Sequence, residues 1–446
     1  MTKKRTPKLA KIHPTSNWQS KVIGWSADSQ CTDVLHDRML LRYAFQISPK
    51  LDMRRIIRAF EKLTQRHDTL RIQFVDVKGK WAVRINDEHP TGVQVKDFGE
   101  VDDEVLEAKA NQYAAAPMSI FADSLIELLV LKFGRRGDVL IIRIHHAITD
   151  AYGLTVIIEE FLKSLLGIPF LSSAVSHADY LEQWERADTQ ADKELSGYWA
   201  ERILPVIPPL NLGRKAKGLE EPGPIARQST IGLQLPVDKV TYSKIGAAAK
   251  KSGVSFFSYV VAAFAEVICD FAGVDEVYIQ TPVGRHSRKL DTYVGEHTKH
   301  IWVRYKKAQD WNAERQAALV ASQLREGMSH LPSATMELNE ETQQAISDCG
   351  AQLGIYLARE AGSYARMKSS RFGNAFLEGP NKEQRMGLWK IREMQLRPQA
   401  HTISELQIDL IEDLKGHTVC LGADADAYDS EELAKIGDAI VKKLTG

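Results

Sequence analysis

Cysteine is scarce: the 446 residues hold four, Cys31, Cys269, Cys349 and Cys420, far apart and in no CxxC pair. That excludes a disulfide framework and a thiolate zinc cluster, and reduced thiols in a cytoplasmic protein are expected. Long apolar runs are missing too. No stretch approaches the about 18 uninterrupted apolar residues of a membrane span, and the basic N-terminus leads into no signal-type apolar run. Net charge is absent, since 58 basic and 58 acidic side chains cancel, so no overall field draws the chain to nucleic acid or acidic lipid. Neither GxGxxG nor GxxxxGKS/T occurs, and Gly134-Arg135-Arg136-Gly137 reads as a turn between two strands. No GxSxG elbow supplies a serine nucleophile.

What is present is the composition of a soluble globular protein, with 44% apolar and 26% charged residues, over a length that suits two domains. Its most informative stretch is His145-His146-Ala147-Ile148-Thr149-Asp150-Ala151-Tyr152-Gly153. The β-branched run before it, 139–144, predicts a buried strand. Apolar residues every three or four positions over 154–166 predict a helix after it. Two imidazoles therefore stand where a strand ends and a helix begins. Neighbouring side chains on a strand point to opposite faces, so only one of the pair can face a given cavity. Asp150, four residues beyond His146, can hold the loop by accepting hydrogen bonds or by pairing with a cation. A metal centre is not expected, because two adjacent histidines and one aspartate are too few convergent ligands.

Elsewhere, strands are predicted over 39–47, 72–77, 81–85, 125–133, 229–235 and 276–281. Helices are predicted over 52–66, 105–116, 179–202, 237–252, 255–271 and 430–444. Residues 72–85 read as a hairpin about Lys78-Gly79-Lys80. The basic residues 1–11 read as a solvated arm, and 205–224, rich in Pro, Gly and Lys, as an exposed connection. Helices and strands mixed in both halves argue for an α/β or mixed α+β fold in layers.

Four segments occur in a telling order: Arg66-His67-Asp68-Thr69-Leu70-Arg71 with Phe74; the His145–Gly153 stretch; the region of Tyr180, Trp184, Tyr198 and Trp199; and Gly273-Val274-Asp275-Glu276-Val277 through Thr281-Pro282-Val283-Gly284-Arg285. In order and spacing they resemble the RHExLRTxF, HHxxxDGxS, inter-lobe and GxxDVxxGTPVxxR segments of nonribosomal peptide synthetase condensation domains, members of the chloramphenicol-acetyltransferase-like superfamily. The resemblance implies an α+β fold of two chloramphenicol-acetyltransferase-like lobes, a V-shaped pseudodimer with a central tunnel. Residues 12–176 would form the N-terminal lobe, 177–224 the inter-lobe helix and linker, and 225–446 the C-terminal lobe. It maps the family's active-site histidine onto His146, with His145 and Gly153 in support and Asp150 as the loop-holding carboxylate. The cation of that carboxylate would be Arg285, and a buried carboxylate needs one.

The reaction so implied is acyl transfer from a phosphopantetheine-tethered thioester to an amine, forming an amide. No acyl-enzyme nucleophile is evident, in keeping with direct transfer between two bound substrates. No cofactor is bound; the phosphopantetheine arm of an acyl or peptidyl carrier protein, or CoA, arrives as part of the donor. Without attached adenylation or carrier domains, action in trans by a cytoplasmic monomer is expected, with neither nucleic acid nor membrane as partner.

The chain departs from that pattern in two places. The glycine usual after the aspartate is Ala151 and the later serine is Gly153, so the turn can be redistributed between them. Val294-Gly295-Glu296-His297-Thr298-Lys299-His300 takes the place of an IGxFVNT segment, with charged and polar residues for apolar ones. It reads either as an exposed strand edge or loop, or as a pocket in which His297, Lys299 and His300 meet a polar or acidic substrate. Two alternatives to amide formation stay open: an O-acyltransferase that forms an ester, and a catalytically silent recruitment module, which needs the lobes and not the base.

Overall fold

The computed structural model describes residues 11–27, 39–90, 92–185, 189–207, 230–283, 288–331, 341–342, 344–345, 355–359, 383–386, 388–394, 396, 406–413, 416–425 and 428–445. The arm over 1–10, the connection over 208–224, Arg285, Cys31 and Cys349 lie outside the described residues. The chain divides into two units: Met1–Glu185 with Arg285–His297 and Ser363–Pro398, and Arg186–Gly284 with Thr298–Gly362 and Gln399–Gly446. The first unit thus takes back two later segments, returns that a linear division at 12–176, 177–224 and 225–446 does not contain.

The first unit holds strands β1 (Lys11–Pro14), β2 (Leu40–Ser48), β3 (Ile72–Val77), β4 (Lys80–Ile85), β5 (Gln94–Asp97), β6 (Ile126–Lys132) and β7 (Asp138–His145). Its helices are α1 (Asn17–Ala27), α2 (Met53–Arg66), α3 (Asp103–Ala114) and α4 (Ala151–Leu165). Strands β1, β4 and β3 make a small sheet, with β3 and β4 paired as the expected hairpin. Two late strands, Glu383–Met386 and Trp389–Glu393, complete a six-stranded sheet that continues through β2, β7 and β6 to β5.

Strand β7 lies inside that sheet, antiparallel to both neighbours, and all eight of its residues are buried. Leu106, Ala110 and Ala114 of α3 pack with Ala44, Leu129, Val139 and Ile141. Phe161 of α4 meets Phe45 of β2. Helices on both faces explain an apolar run with no alternation. Its one charged interior residue, Arg143, pairs with Glu127 and donates to the carbonyls of Tyr113 (3.0 Å) and Ala116 (2.7 Å), at the C-terminal end of α3. Those last carbonyls have no partner within the helix, so the buried guanidinium and the helix end satisfy each other.

The end of α2 is tied to α4. Arg66 meets Glu160 through two nitrogens (2.7 and 3.2 Å), and His67 Nε2 meets the same carboxylate at 2.6 Å. Burial pushes Glu160 up, but the hydrogen bonds and charges of His67 and Arg66 outweigh it and hold the carboxyl below its usual range. The histidine of the RHExLRTxF-like segment is therefore a fastener between two helices.

In the second unit, β8 (Thr230–Val237), β9 (Glu276–Val283), β10 (Lys299–Lys306) and the strands Ile355–Arg359, Leu406–Asp413 and Gly416–Asp424 form another six-stranded sheet, with β10 and β8 at its edges. The helix Phe256–Ala272 is buried at every position from Ser258 to Cys269, which is why its sequence is apolar all round. Ser255 caps its start, and Gly273, at φ 64°, ends it in the left-handed conformation. Among the described residues no single helix is long and apolar enough to cross a membrane.

One predicted helix is broken. Over 179–202 the chain forms a short helix, His177–Tyr180, that widens into a π-turn at Leu181–Glu185, and a separate helix covers Thr189–Ile203. The aromatic residues there anchor different cores: Tyr180 packs with Leu290 and Tyr293 in the first unit, and Trp199 joins the core of the second.

Candidate active site

Strand β7 delivers both histidines. His145 is its last residue and is buried; its backbone N–H donates to the Leu125 carbonyl (2.8 Å), and its Nδ1 accepts from the N–H of Ala147 (3.0 Å). His146, one step on, stays partly exposed. Its N–H donates to the Met39 carbonyl (2.6 Å), and its own carbonyl accepts from the indole Nε1 of Trp18 (3.0 Å). Strand alternation thus sends one ring inward and leaves the other accessible. Burial lowers the His146 imidazole below its ordinary value, against the upward pull of its own backbone, of the Asp150 carboxylate and of the Thr149 backbone. A ring so placed is neutral at pH 7 and free to take a proton.

Asp150 braces the loop from the far side. It is the N-cap of α4: Oδ1 accepts from the N–H of Gly153 (2.6 Å), while Oδ2 accepts from the N–H of His297 (2.9 Å). The Thr149 hydroxyl donates to the Val294 carbonyl (2.5 Å), and the Tyr152 hydroxyl meets Asp291 Oδ1 at 3.0 Å. Residues 291–297, far away in sequence, therefore clasp the loop that carries His146. Ala151 is simply the first residue of α4, an exposed position that needs no glycine.

Gly153 is where the glycine is needed. A Cβ there would stand 2.4 Å from the Val294 carbonyl oxygen and 2.3 Å from Thr149 Oγ1. Gly153→Ala is expected to lower stability by about 1–3 kcal/mol, because backbone and a bonded hydroxyl must both give way. Thermal unfolding checks this, and an unchanged midpoint would contradict it.

The structure brings His145, His146, Asp150, Gly153 and His297 together in the first unit. Lys299 and His300 begin β10 in the second, opposite Val283 and Pro282, with Lys299 buried. Arg285 lies outside the described residues. Of the two readings of 294–300, the exposed edge or loop is corrected in its exposure only: Lys299 and His300 do begin an edge strand, but Val294, Gly295, His297 and Lys299 are buried, the first three where the segment packs against the histidine loop. His297 Nδ1 lies 3.0 Å from the Tyr180 hydroxyl, and its ring meets Tyr180 and Trp184 edge-on. Tyr180 stacks in turn on Tyr293, with centroids 4.2 Å apart. Among the described residues no group of three or more His, Cys, Asp or Glu side chains is placed to hold a metal ion.

Another buried imidazole lies beside this clasp. His177 is pushed down to about 3 by burial, with the charge of His13 acting in the same direction, and its Nε2 is shut off from solvent with no hydrogen bond. Its backbone N–H donates to both oxygens of Asp68, 3.0 and 3.1 Å away. A histidine kept neutral when folded stabilises the fold fully above its ordinary 6.5, and that contribution is lost as pH falls toward about 3. Asp68, raised by burial despite the His177 backbone bonds, works in the opposite sense as pH rises above its ordinary value. Stability is expected to fall below pH 6.5 by up to about 1.4 kcal/mol per pH unit, and His177→Phe to flatten that slope. Urea denaturation over pH 4.5–7 measures it, and parallel slopes for the two proteins would refute the assignment.

Comparison with known proteins accords with this geometry. Residues 37–347, more than two thirds of the chain, match the family model described as condensation domain. Bacitracin synthase 3 of Bacillus licheniformis is 25% identical over 256 residues, 57% of this chain but 4% of that protein, so the chain spans a small part of such a relative. A four-domain nonribosomal peptide synthetase bound to AMP and glycine superposes with a TM-score of 0.77 at 16% identity, over 99% of this chain and 33% of that one. The SgcC5 protein from Streptomyces globisporus, in complex with (R)-(-)-1-(2-naphthyl)-1,2-ethanediol and sucrose, gives 0.72 at 16% identity over 97% and 98% of the two chains.

Proposed function

Because the chain belongs to the condensation-domain family, we propose that it transfers an acyl group from a phosphopantetheine-tethered thioester to an amine, forming an amide. The observation that carries this reading is the half-buried His146, whose backbone is held at both its N–H and its carbonyl. The amine nitrogen attacks the thioester carbonyl, the C–S bond breaks, and the proton released by nitrogen passes through the imidazole to the departing thiolate. Nδ1 of His146 is shut off from solvent, which leaves Nε2 for that transfer. A neutral amine is already nucleophilic, so toward an amine His146 mainly orients it and relieves charge in the tetrahedral intermediate.

In this proposal the two units act as the lobes of a V-shaped pseudodimer, with a tunnel that admits a carrier-borne donor at one mouth and the acceptor at the other. Arg285 is the cation of Asp150, and His297, Lys299 and His300 adapt the acceptor side to a polar or acidic group. The carrier protein is a separate partner. The second reading, ester formation, draws support from the SgcC5 structure, whose bound molecule is a diol.

The test is product formation from an acylated carrier protein, with matched amine and alcohol acceptors and with free acyl-CoA in place of the carrier. Amide from the carrier thioester supports the first reading and ester the second. Carrier binding with no product from any combination would leave only recruitment.

A further inference from the structure

We propose that Trp18 is a positioning residue of the active site, its indole N–H fixing the His146 carbonyl and its ring closing one side of the imidazole. The proposal rests on the reading of His146 as the proton acceptor. Three observations, each independent of that chemistry, lead to it.

The first is local. Ser16 and Gln19 form a reciprocal cap: Gln19 Oε1 accepts from the Ser16 N–H (2.9 Å), and Ser16 Oγ accepts from the Gln19 N–H (3.2 Å). This fixes the first turn of α1, with Trp18 as its second residue, while Val22, Ile23 and Ser26 are buried further along and seat the helix. Trp18, half-buried, is thus placed by its own helix.

The second is complementarity. The His146 carbonyl has left the strand ladder and needs a donor, and a sheltered indole N–H, which can only donate, needs an acceptor. They meet at 3.0 Å. With the His146 N–H on the Met39 carbonyl, the peptides on either side of His146 are each held by a separate element. The third is the ring contact. The indole and imidazole centroids are 5.5 Å apart at an interplanar angle of 55°, so the indole lies against one side of the imidazole.

Two variants separate these roles: Trp18→Phe keeps an aromatic ring and loses the N–H, and Trp18→Ala loses both. Carbethoxylation of His146 by diethyl pyrocarbonate, followed by peptide mass mapping, reads the ring without any substrate. In Trp18→Ala the His146 modification rate should rise about threefold or more, and its pH midpoint should move up as desolvation relaxes. Asp150, the charged group that acts on His146, is common to all the proteins compared. Trp18→Phe should modify at a rate near wild type. Its kcat should still fall about tenfold or more with KM little changed, since a small misplacement of a reacting group slows the bound complex.

An unchanged carbethoxylation rate and midpoint in folded Trp18→Ala would overturn the proposal. If Trp18→Ala fails to fold, an unchanged kcat in Trp18→Phe of normal melting temperature would do so. If wild type turns over no thioester and carbethoxylation still responds to Trp18→Ala, the acyl-transfer reading falls and the placement by Trp18 stands.

Discussion

His146→Ala is expected to abolish ester formation and to leave only a residual rate with an amine of matched size. A positioned base is worth about 10²–10⁴-fold, or roughly 3–5 kcal/mol of barrier. An alcohol must shed its proton to attack, so it forfeits the whole of that factor. An amine attacks with its lone pair and sheds the proton later, so it forfeits less. The fold should be little affected, because the hydrogen bonds that hold the residue are made by its backbone. In the wild type, the acid limb of kcat/KM should lie below pH 6.5, since burial lowers the imidazole and the neutral base survives into mild acid. Initial rates with paired acceptors over pH 5–8 measure both effects. An equal loss with amine and alcohol would count against this division of roles.

Asp150→Ala should be the most damaging change to the loop. Each carboxylate oxygen satisfies a buried N–H, one on α4 and one in the returning segment. Stranding a buried donor costs about 1–3 kcal/mol, and this substitution strands two. Asp150→Asn separates the contributions. Its carbonyl can still cap Gly153, but its amide then points N–H at the N–H of His297, so stability should fall between wild type and alanine. Activity should drop further than stability in both variants, because the clasp at Val294–His297 sets where His146 stands. Urea denaturation beside turnover tests this; full stability in folded Asp150→Ala would remove the brace from the account.

Much of the first unit was legible because its signals are local. The run 139–144 has no alternation because helices cover both faces of β7, and the histidines follow it directly. Asp150 as a loop-holding carboxylate could be read from its place four residues beyond His146, in the loop before the predicted helix. What escaped depends on long-range contact. No local feature of 291–297 says that it returns to clasp the histidine loop, and its polar residues suggested exposure, whereas His297 is buried with its N–H on Asp150 and its Nδ1 beside the Tyr180 hydroxyl. The edge strand β10, the helix Ala313–Ser329 and the later strands were not foreseen, although buried and half-buried residues alternate from Lys299 to Tyr305 and Ala317, Val320, Ala321 and Leu324 share one helix face. α1 was missed although its signal was present: Ser16-Asn17-Trp18-Gln19 is a capping box before an apolar stretch.

The most direct test of the central claim is rapid-quench intact-mass measurement on a carrier protein bearing an acyl thioester. Wild type should remove the acyl mass from the carrier only when the amine is present, and His146→Ala should leave it in place over the same interval. Equal loss of the acyl group with either protein, or its retention with wild type and amine together, would contradict the account.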